Sequence, residues 1–484
     1  MSVLPVGMAG ASASYSITNS ARLNGTSDYL SKTLTTNTTT SGSIWVKRSK
    51  LGATSPIFDN KVYFTSGDAL YAFGLTSTAL YRDPSAWMHI FWNGTGVYVN
   101  GTHVTGSGSY TAASVTNPRL GYDGTNYFSG YMSDYAFWNG TSASLQGGAT
   151  NTDGVWAAKR PSAGYSFLAF GSSGALGTDT SGNGNNWTVT GSPVQTTDTP
   201  TNNYCTINPL DGDLNGHTIS SGNLSWSAPN GTYYYQSRCT IAVPTSGLWY
   251  WEATVGSTNA DSSLGIVDIT ANAFSNGSTW FGNSGALLWR GRVDGSQYTN
   301  GTAGTSYSSF AVNDKMMFAF KPSNGHVWWG KNGTWYNSGD PANDTGYVAT
   351  VSTSTVFAPF IGAGNAFSAT FNFGATAFAY TPPTGFKSLC TANLTSTAVT
   401  TSGTFTGNAN ADGPFVWTNG NPATLTINGN AVTFGTHADK TAGGFKLRSS
   451  SASYNTSGSN TWTATAGKRF VYSATSINTA QGNP

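Results

Sequence analysis

Apolar and polar residues alternate between Asp314 and Tyr336. Met316, Phe318 and Phe320 interleave with Lys315, Met317 and Ala319, the period of a strand that lays one face on a core. Pro322 presets the first corner of a turn and Asn324-Gly325 tolerates positive φ, so the chain reverses after Lys321. A second strand returns over 326–329. Asn332-Gly333, a primed two-residue turn, then sends the chain back toward Trp335 and Tyr336. The pattern predicts a three-stranded antiparallel meander with an aromatic inner face.

The same punctuation runs through the chain. Segments 20–24, 27–30, 42–47, 86–92, 96–101 and 127–138 read as short strands between polar turns, the signature of a β-sandwich. Segments 247–255, 263–268, 357–362 and 369–374 join the meander in a second sandwich, and 411–417, 423–428, 443–449 and 468–472 predict a small third β domain. The expected class is all-β, with tandem antiparallel sandwiches. The expected boundaries are an arm over 1–13, a first sandwich over 14–172, a connector over 173–205, a second sandwich over 206–390, a Thr/Ser-rich linker over 391–403 and the small domain over 404–484.

Composition narrows the function. At 484 residues the chain is too long for one core. Charged residues are only 9 %, so Ser, Thr, Asn and Gly must make the surface, while 13 % aromatic residues supply the buried area that a disordered chain lacks. With net charge +2 and no run of Lys and Arg, the footprint of a nucleic-acid binder is missing. No apolar run approaches transmembrane length, and Met1 to Ala13 has no basic region of the kind that opens a signal peptide. Cys205, Cys239 and Cys390 fit neither a disulfide scaffold nor a zinc site, though a pair such as Cys205 with Cys390 stays open.

Catalytic chemistry finds little purchase. Glycoside hydrolysis needs two carboxylates, one to protonate the leaving oxygen and one to attack or to activate water. The chain has a single glutamate, Glu252, between Trp251 and Ala253, where a structural hydrogen bond is the expected role. Aspartate pairs are the alternative. His89, His103, His217, His326 and His437 are scattered without a metal or triad spacing. The expectation is no enzyme and no required cofactor. Asp211, Asp213 and Asn215 match the first half of a calcium loop, but Gly222 stands where the closing Glu belongs, so bound Ca2+ competes with a plain Asp-Gly turn. Trp280 and Phe281, in a polar loop, are candidates to stack on a sugar or to fill a core, with Arg290 and Arg292 near enough to meet acidic groups.

Several strings are more specific. The order of a WYWE strand at 249–252, LGI at 264–266, the hairpin G-x-x-W-x-x-K-N-G-x-W ending at Trp335 and FNFG at 371–374 resembles SPRY sandwiches. The W-x-H-I strand at Trp87, V-Y-V-N-G at 97–101 and F-x-G-x-x-x-D at 128–134 resemble laminin-G-like, concanavalin A-like sandwiches. Together with TDTSGNGNNW at 178–187, DTPTNNYCTINPLD at 198–211, YRDPSAW at 81–87 and YTPPTGF at 380–386, they resemble a tailed-bacteriophage family in which a laminin-G-like domain precedes a SPRY domain. That resemblance implies a virion protein, a tail fibre or tailspike-like adhesin that binds a host surface glycan or protein, made in the host cytoplasm and released by lysis. It also implies a homo-oligomer, in the manner of trimeric fibres. A head fibre or capsid decoration protein is the structural alternative, with Met1, Leu4, Pro5 and Met8 docking the arm on other virion proteins. A polysaccharide depolymerase is the enzymatic one.

Overall fold

In the computed structural model the described residues are 15–35, 39–140, 144–150, 156–162, 164–212, 216–230, 235–259, 262–270, 288–292, 294–394 and strand segments between 402 and 473. The chain is all-β, and its described helical pieces are two single 3-10 turns at Tyr336–Ser338 and Pro341–Asn343. One compact unit holds both large sandwiches and a second holds the C-terminal strands.

The first sandwich stacks two eight-stranded sheets. One is built around Ser129–Asn139, flanked by Thr40–Arg48 and Ser20–Asn24; the other runs from Gly106–Gly108 through Leu75–Leu80, Ala69–Ala72, Val62–Phe64, Ser55–Phe58, Arg119–Leu120 and Tyr29–Ser31 to Thr188–Thr190. The core lies between them. Ile44, Val46, Ile90, Trp92 and Met132 from one sheet meet Leu30, Val62, Phe64, Leu70 and Leu120 from the other, and the Phe58 and Trp92 rings lie 5.1 Å apart. Gly42 is required by this packing, since a Cβ there would sit 2.1 Å from the Trp92 ring.

Of residues 173–205, expected as a connector, the part up to Thr196 belongs structurally to this sandwich, while 197–205 crosses to the second. Thr188–Thr190 pairs with Tyr29–Ser31, Val194–Thr196 pairs with Ser20–Asn24, and Leu176 and Trp187 enter the core. The polar string before Trp187 is a local staple. Asp179 accepts hydrogen bonds from the Phe167, Ser181 and Asn185 amides at 2.8 Å each, and Asn183 and Asn185 bond the Gly164 and Tyr165 carbonyls. Burial alone would raise the Asp179 pKa, but these donors hold it below the usual carboxylate range.

In the second sandwich the meander forms as the pattern predicts. Lys315–Lys321, His326–Lys331 and Thr334–Trp335 pair antiparallel, with φ of 51° at Asn332 and 86° at Gly333 in the primed turn. Met316, Phe318, Phe320 and Trp329 face the main core. The opposite face is also covered, because Met317, Ala319 and Trp328 pack with Tyr250 and Phe386 in a smaller cluster. The segment that covers them is anchored by Glu252, whose carboxylate accepts from Tyr250 Oη (2.7 Å) and from the Ala379 and Tyr380 amides (2.8 and 2.9 Å). A second sheet, from Ile207–Gly212 to Thr302–Ala303, closes this core from the other side.

A buried polar knot ties the two sandwiches. The Lys47 ammonium, 1 % exposed, pairs with Asp198 and donates to Asn203 Oδ1 at 2.8 Å. Trp87 Nε1 donates to Asp198 Oδ1, Asn203 Nδ2 donates to the Ser85 carbonyl, and Lys47 lies over the Tyr131 ring at 4.7 Å. Tyr131 Oη in turn donates to the Gly222 carbonyl of the second sandwich, and the amides of Thr197 and Cys205 donate to Ala375 and Leu389. Lys47, Trp87 and Asp198, far apart in sequence, thus converge on one joint.

In the C-terminal unit the predicted strands pair with one another and with Ser459–Ala464, which the sequence pattern did not predict. Phe415–Thr418 lies between Phe445–Ser449 and Phe470–Ser473, while Leu425–Ile427 pairs with Ser459–Ala464.

Candidate functional site

Alternation decides which side chains the first sandwich shows to solvent. Leu30 and Leu120 enter the core, so their neighbours Tyr29, Ser31 and Arg119 face outward, with Arg119 registered opposite Ser31. Val62 and Phe64 point inward and leave Tyr63 outside; Leu70 and Ala72 do the same for Tyr71. Because Tyr63 registers opposite Tyr71, the two rings stack at 4.5 Å. Burial and then its Tyr71 neighbour raise the Tyr63 pKa. Tyr122 and Tyr127, joined by an isolated bridge, stack at 4.4 Å, and Tyr29 approaches Tyr122 at 4.9 Å. Five tyrosines thus line the outer side of one sheet.

Beside Tyr29 lies an open cleft of about 610 Å³, lined by eleven residues that include Ser31, Lys32, Asp59, Lys61, Thr116 and Arg119. The volume falls within the roughly 300–1,000 Å³ of small-molecule sites. One wall is rigid because the amides of Lys32 and Leu34 donate to the carbonyls of Pro118 and Thr116. Asp59 sits at φ 48° in the turn that carries Lys61. Its Oδ1 accepts from Arg119 Nη2 at 2.6 Å, and Arg119 lies over the Tyr122 ring at 5.0 Å. Lys32 Nζ donates to the Asn186 carbonyl, and Lys61 has no side-chain partner among the described residues.

The residues singled out from the sequence are placed differently. Trp280, Phe281, Asp213, Asn215, Met1, Leu4, Pro5 and Met8 lie outside the described residues. Arg290 pairs by its backbone with Gly265 and Tyr298. Arg292 reaches Asp294 at 3.7 Å and stands 5.9 Å from the centre of the Tyr298 ring. Of the calcium reading only Asp211 is described, and both its oxygens take a bidentate fork from Arg238 at 2.8 and 2.9 Å. An arginine satisfies the carboxylate that the half motif offered as first ligand. All three cysteines are buried free thiols, and the thiol facing Cys239 belongs to Cys205 rather than Cys390.

One histidine cluster was not visible in the sequence. His326 Nδ1 lies 2.7 Å from Asp344 Oδ1, its ring stacks on Tyr347 at 3.8 Å, and Lys321 and Asn324 bond Asp344 Oδ2. Burial would raise the Asp344 pKa, but the bonds from Lys321 and His326 outweigh it and hold the carboxylate low. No serine or cysteine side chain hydrogen-bonds His326 among the described residues. The tyrosine face went unnoticed for a similar reason. The strings KVYF and ALYA carry alternation, but only the strand register brings Tyr63 onto Tyr71.

No family model matches the chain, and no curated protein matches it. Solved structures do. The SPRY domain of human HERC1 is similar at 16 % identity over 35 % of this chain and 99 % of that one, with a TM-score of 0.28. Stonustoxin is similar at 14 % identity over 35 % and 27 %, with 0.26, and the TRIM65 PSpry domain at 12 % over 35 % and 89 %, with 0.25.

Proposed function

We propose that this chain is a non-enzymatic binding protein of a tailed-phage virion, a tail fibre or tailspike-like adhesin that engages a glycan on the host surface. The observation that carries the reading is the outer face of the first sandwich, where Tyr29 lines a hydroxyl-rich cleft and the stacked pairs Tyr63–Tyr71 and Tyr122–Tyr127 lie on the same side of the sheet. A pyranose lays its C–H face on such rings while Ser, Thr and Asn bond its hydroxyls. The lone glutamate supports the absence of covalent chemistry, since Glu252 is 4 % exposed and commits both oxygens to its own sandwich. The phage assignment rests on the sequence resemblance. Each site of this kind binds weakly, and several copies on one particle multiply the affinity through their effective concentration.

Immunogold microscopy of intact virions with an antibody to the second sandwich tests the placement. Label at the tail or baseplate is the expected result. Label spread over the head in hundreds of copies would overturn it in favour of a decoration protein.

A further inference from the structure

The cleft beside Tyr29 concentrates positive charge in a chain that has little. Lys and Arg are 22 of 484 residues, yet Lys32, Lys61 and Arg119 are three of the eleven that line it. Only one carboxylate, Asp59, accompanies them, and Arg119 neutralises it. The two lysine ammonium groups are therefore in excess. The Lys32 ammonium bonds the neutral Asn186 carbonyl and lies 6.0 Å from the centre of the Tyr165 ring, and the Lys61 ammonium has no partner among the described residues. A solvated surface lysine is ordinary, but two uncompensated ones among the residues lining a cleft whose wall also carries Ser31, Thr33, Ser114, Thr116 and Asn117 make a site for an anion that also carries hydroxyls.

We infer that this cleft takes an acidic sugar, a saccharide unit bearing a carboxylate or sulfate. Its charged group sits between Lys32 and Lys61, its hydroxyls meet the Ser, Thr and Asn wall, and its ring lies along Tyr29. The inference deepens the adhesin reading and rests on it for the identity of the ligand as a glycan. It assigns the charge-reading residues to the first sandwich, away from Arg290 and Arg292.

The test titrates the full chain by calorimetry and ligand-observed NMR with a galacturonic acid trisaccharide, sialyllactose and a sulfated lactose. Their neutral counterparts are the galacturonate methyl ester and lactose. At least one acidic probe is expected to bind about tenfold more tightly than its neutral counterpart, as one charge-assisted contact warrants. The preference should fall as the salt concentration is raised, as screening of an exposed site requires. Lys61→Met should remove much of the preference and the Lys32→Met, Lys61→Met pair all of it, with an unchanged unfolding midpoint. Equal affinity for acid and ester, or a preference that survives the double substitution, would overturn the inference. If no acidic probe binds while the chain still attaches to host envelopes, the cleft proposal falls and the adhesin stands. If acidic probes bind to a chain that ignores host envelopes, the adhesin falls and the acid-binding cleft stands.

Discussion

Asp134 sits in the middle of the strand Ser129–Asn139 at φ 46°, where the register against Thr40–Arg48 slips between Ser133 and Ala136. Burial pushes its pKa up to about 6, although a hydrogen bond from Tyr15 and the charge of Arg160 oppose the rise. The folded value exceeds the unfolded one, near 3.9. Protonation therefore favours the folded state, and the contribution is complete below about pH 4 and lost as pH rises through 6. Asp134→Asn, which keeps an acceptor for Tyr15 and tolerates positive φ, should raise stability at pH 8 by up to about 3 kcal/mol, and the gain should vanish by pH 4. Thermal unfolding across that range checks it. Glu252 gives the opposite case. Its carboxylate accepts three hydrogen bonds at 4 % exposure, so Glu252→Gln turns an amide donor toward another donor and should cost about 1–3 kcal/mol in denaturant unfolding. The structural role of Glu252 was readable from its strand, because a lone glutamate between Trp251 and Ala253 has no catalytic partner. Its acceptor role was not, because Ala379 and Tyr380 come from more than 120 residues away.

Strands were legible where their signals are local. The meander needs only alternation and two turns, and both turns carry their demands within two residues, as Asn332-Gly333 shows. Thr188–Thr190 and Val194–Thr196 were not legible, since each is three residues long and owes its existence to the partner strand it edges. The tyrosine pair obeys the same rule, for Tyr63 meets Tyr71 only in one register. A one-residue slip of either strand would turn its own ring toward the core and break the pair. Packing across the sheets sets a further constraint at Gly42. Gly42→Ala drives a methyl into the Trp92 ring and should destabilise the first sandwich by about 1–3 kcal/mol, the usual cost of overpacking. A loss of near-ultraviolet tryptophan signal at lower denaturant would register it.

At the scale of the whole molecule, the Lys47–Asp198 knot makes two sandwiches behave as one body. Removing one partner leaves the other charged and buried, so Lys47→Met should cost about 3–5 kcal/mol. Because Asp198 and Asn203 lie on the segment that joins the sandwiches, calorimetry should show their single transition split in two in this variant. The proposed adhesin role is a separate claim at this scale. Co-sedimentation of the purified chain with host envelopes tests that account most directly, with Tyr63→Ala, Tyr71→Ala as the paired variant. The account predicts that the wild-type chain sediments without releasing reducing sugar and that the paired variant binds about tenfold more weakly, as the loss of a stacking platform of about 1.4 kcal/mol implies. A wild-type chain that stays in the supernatant, or a variant that sediments as well as the wild type, would contradict it.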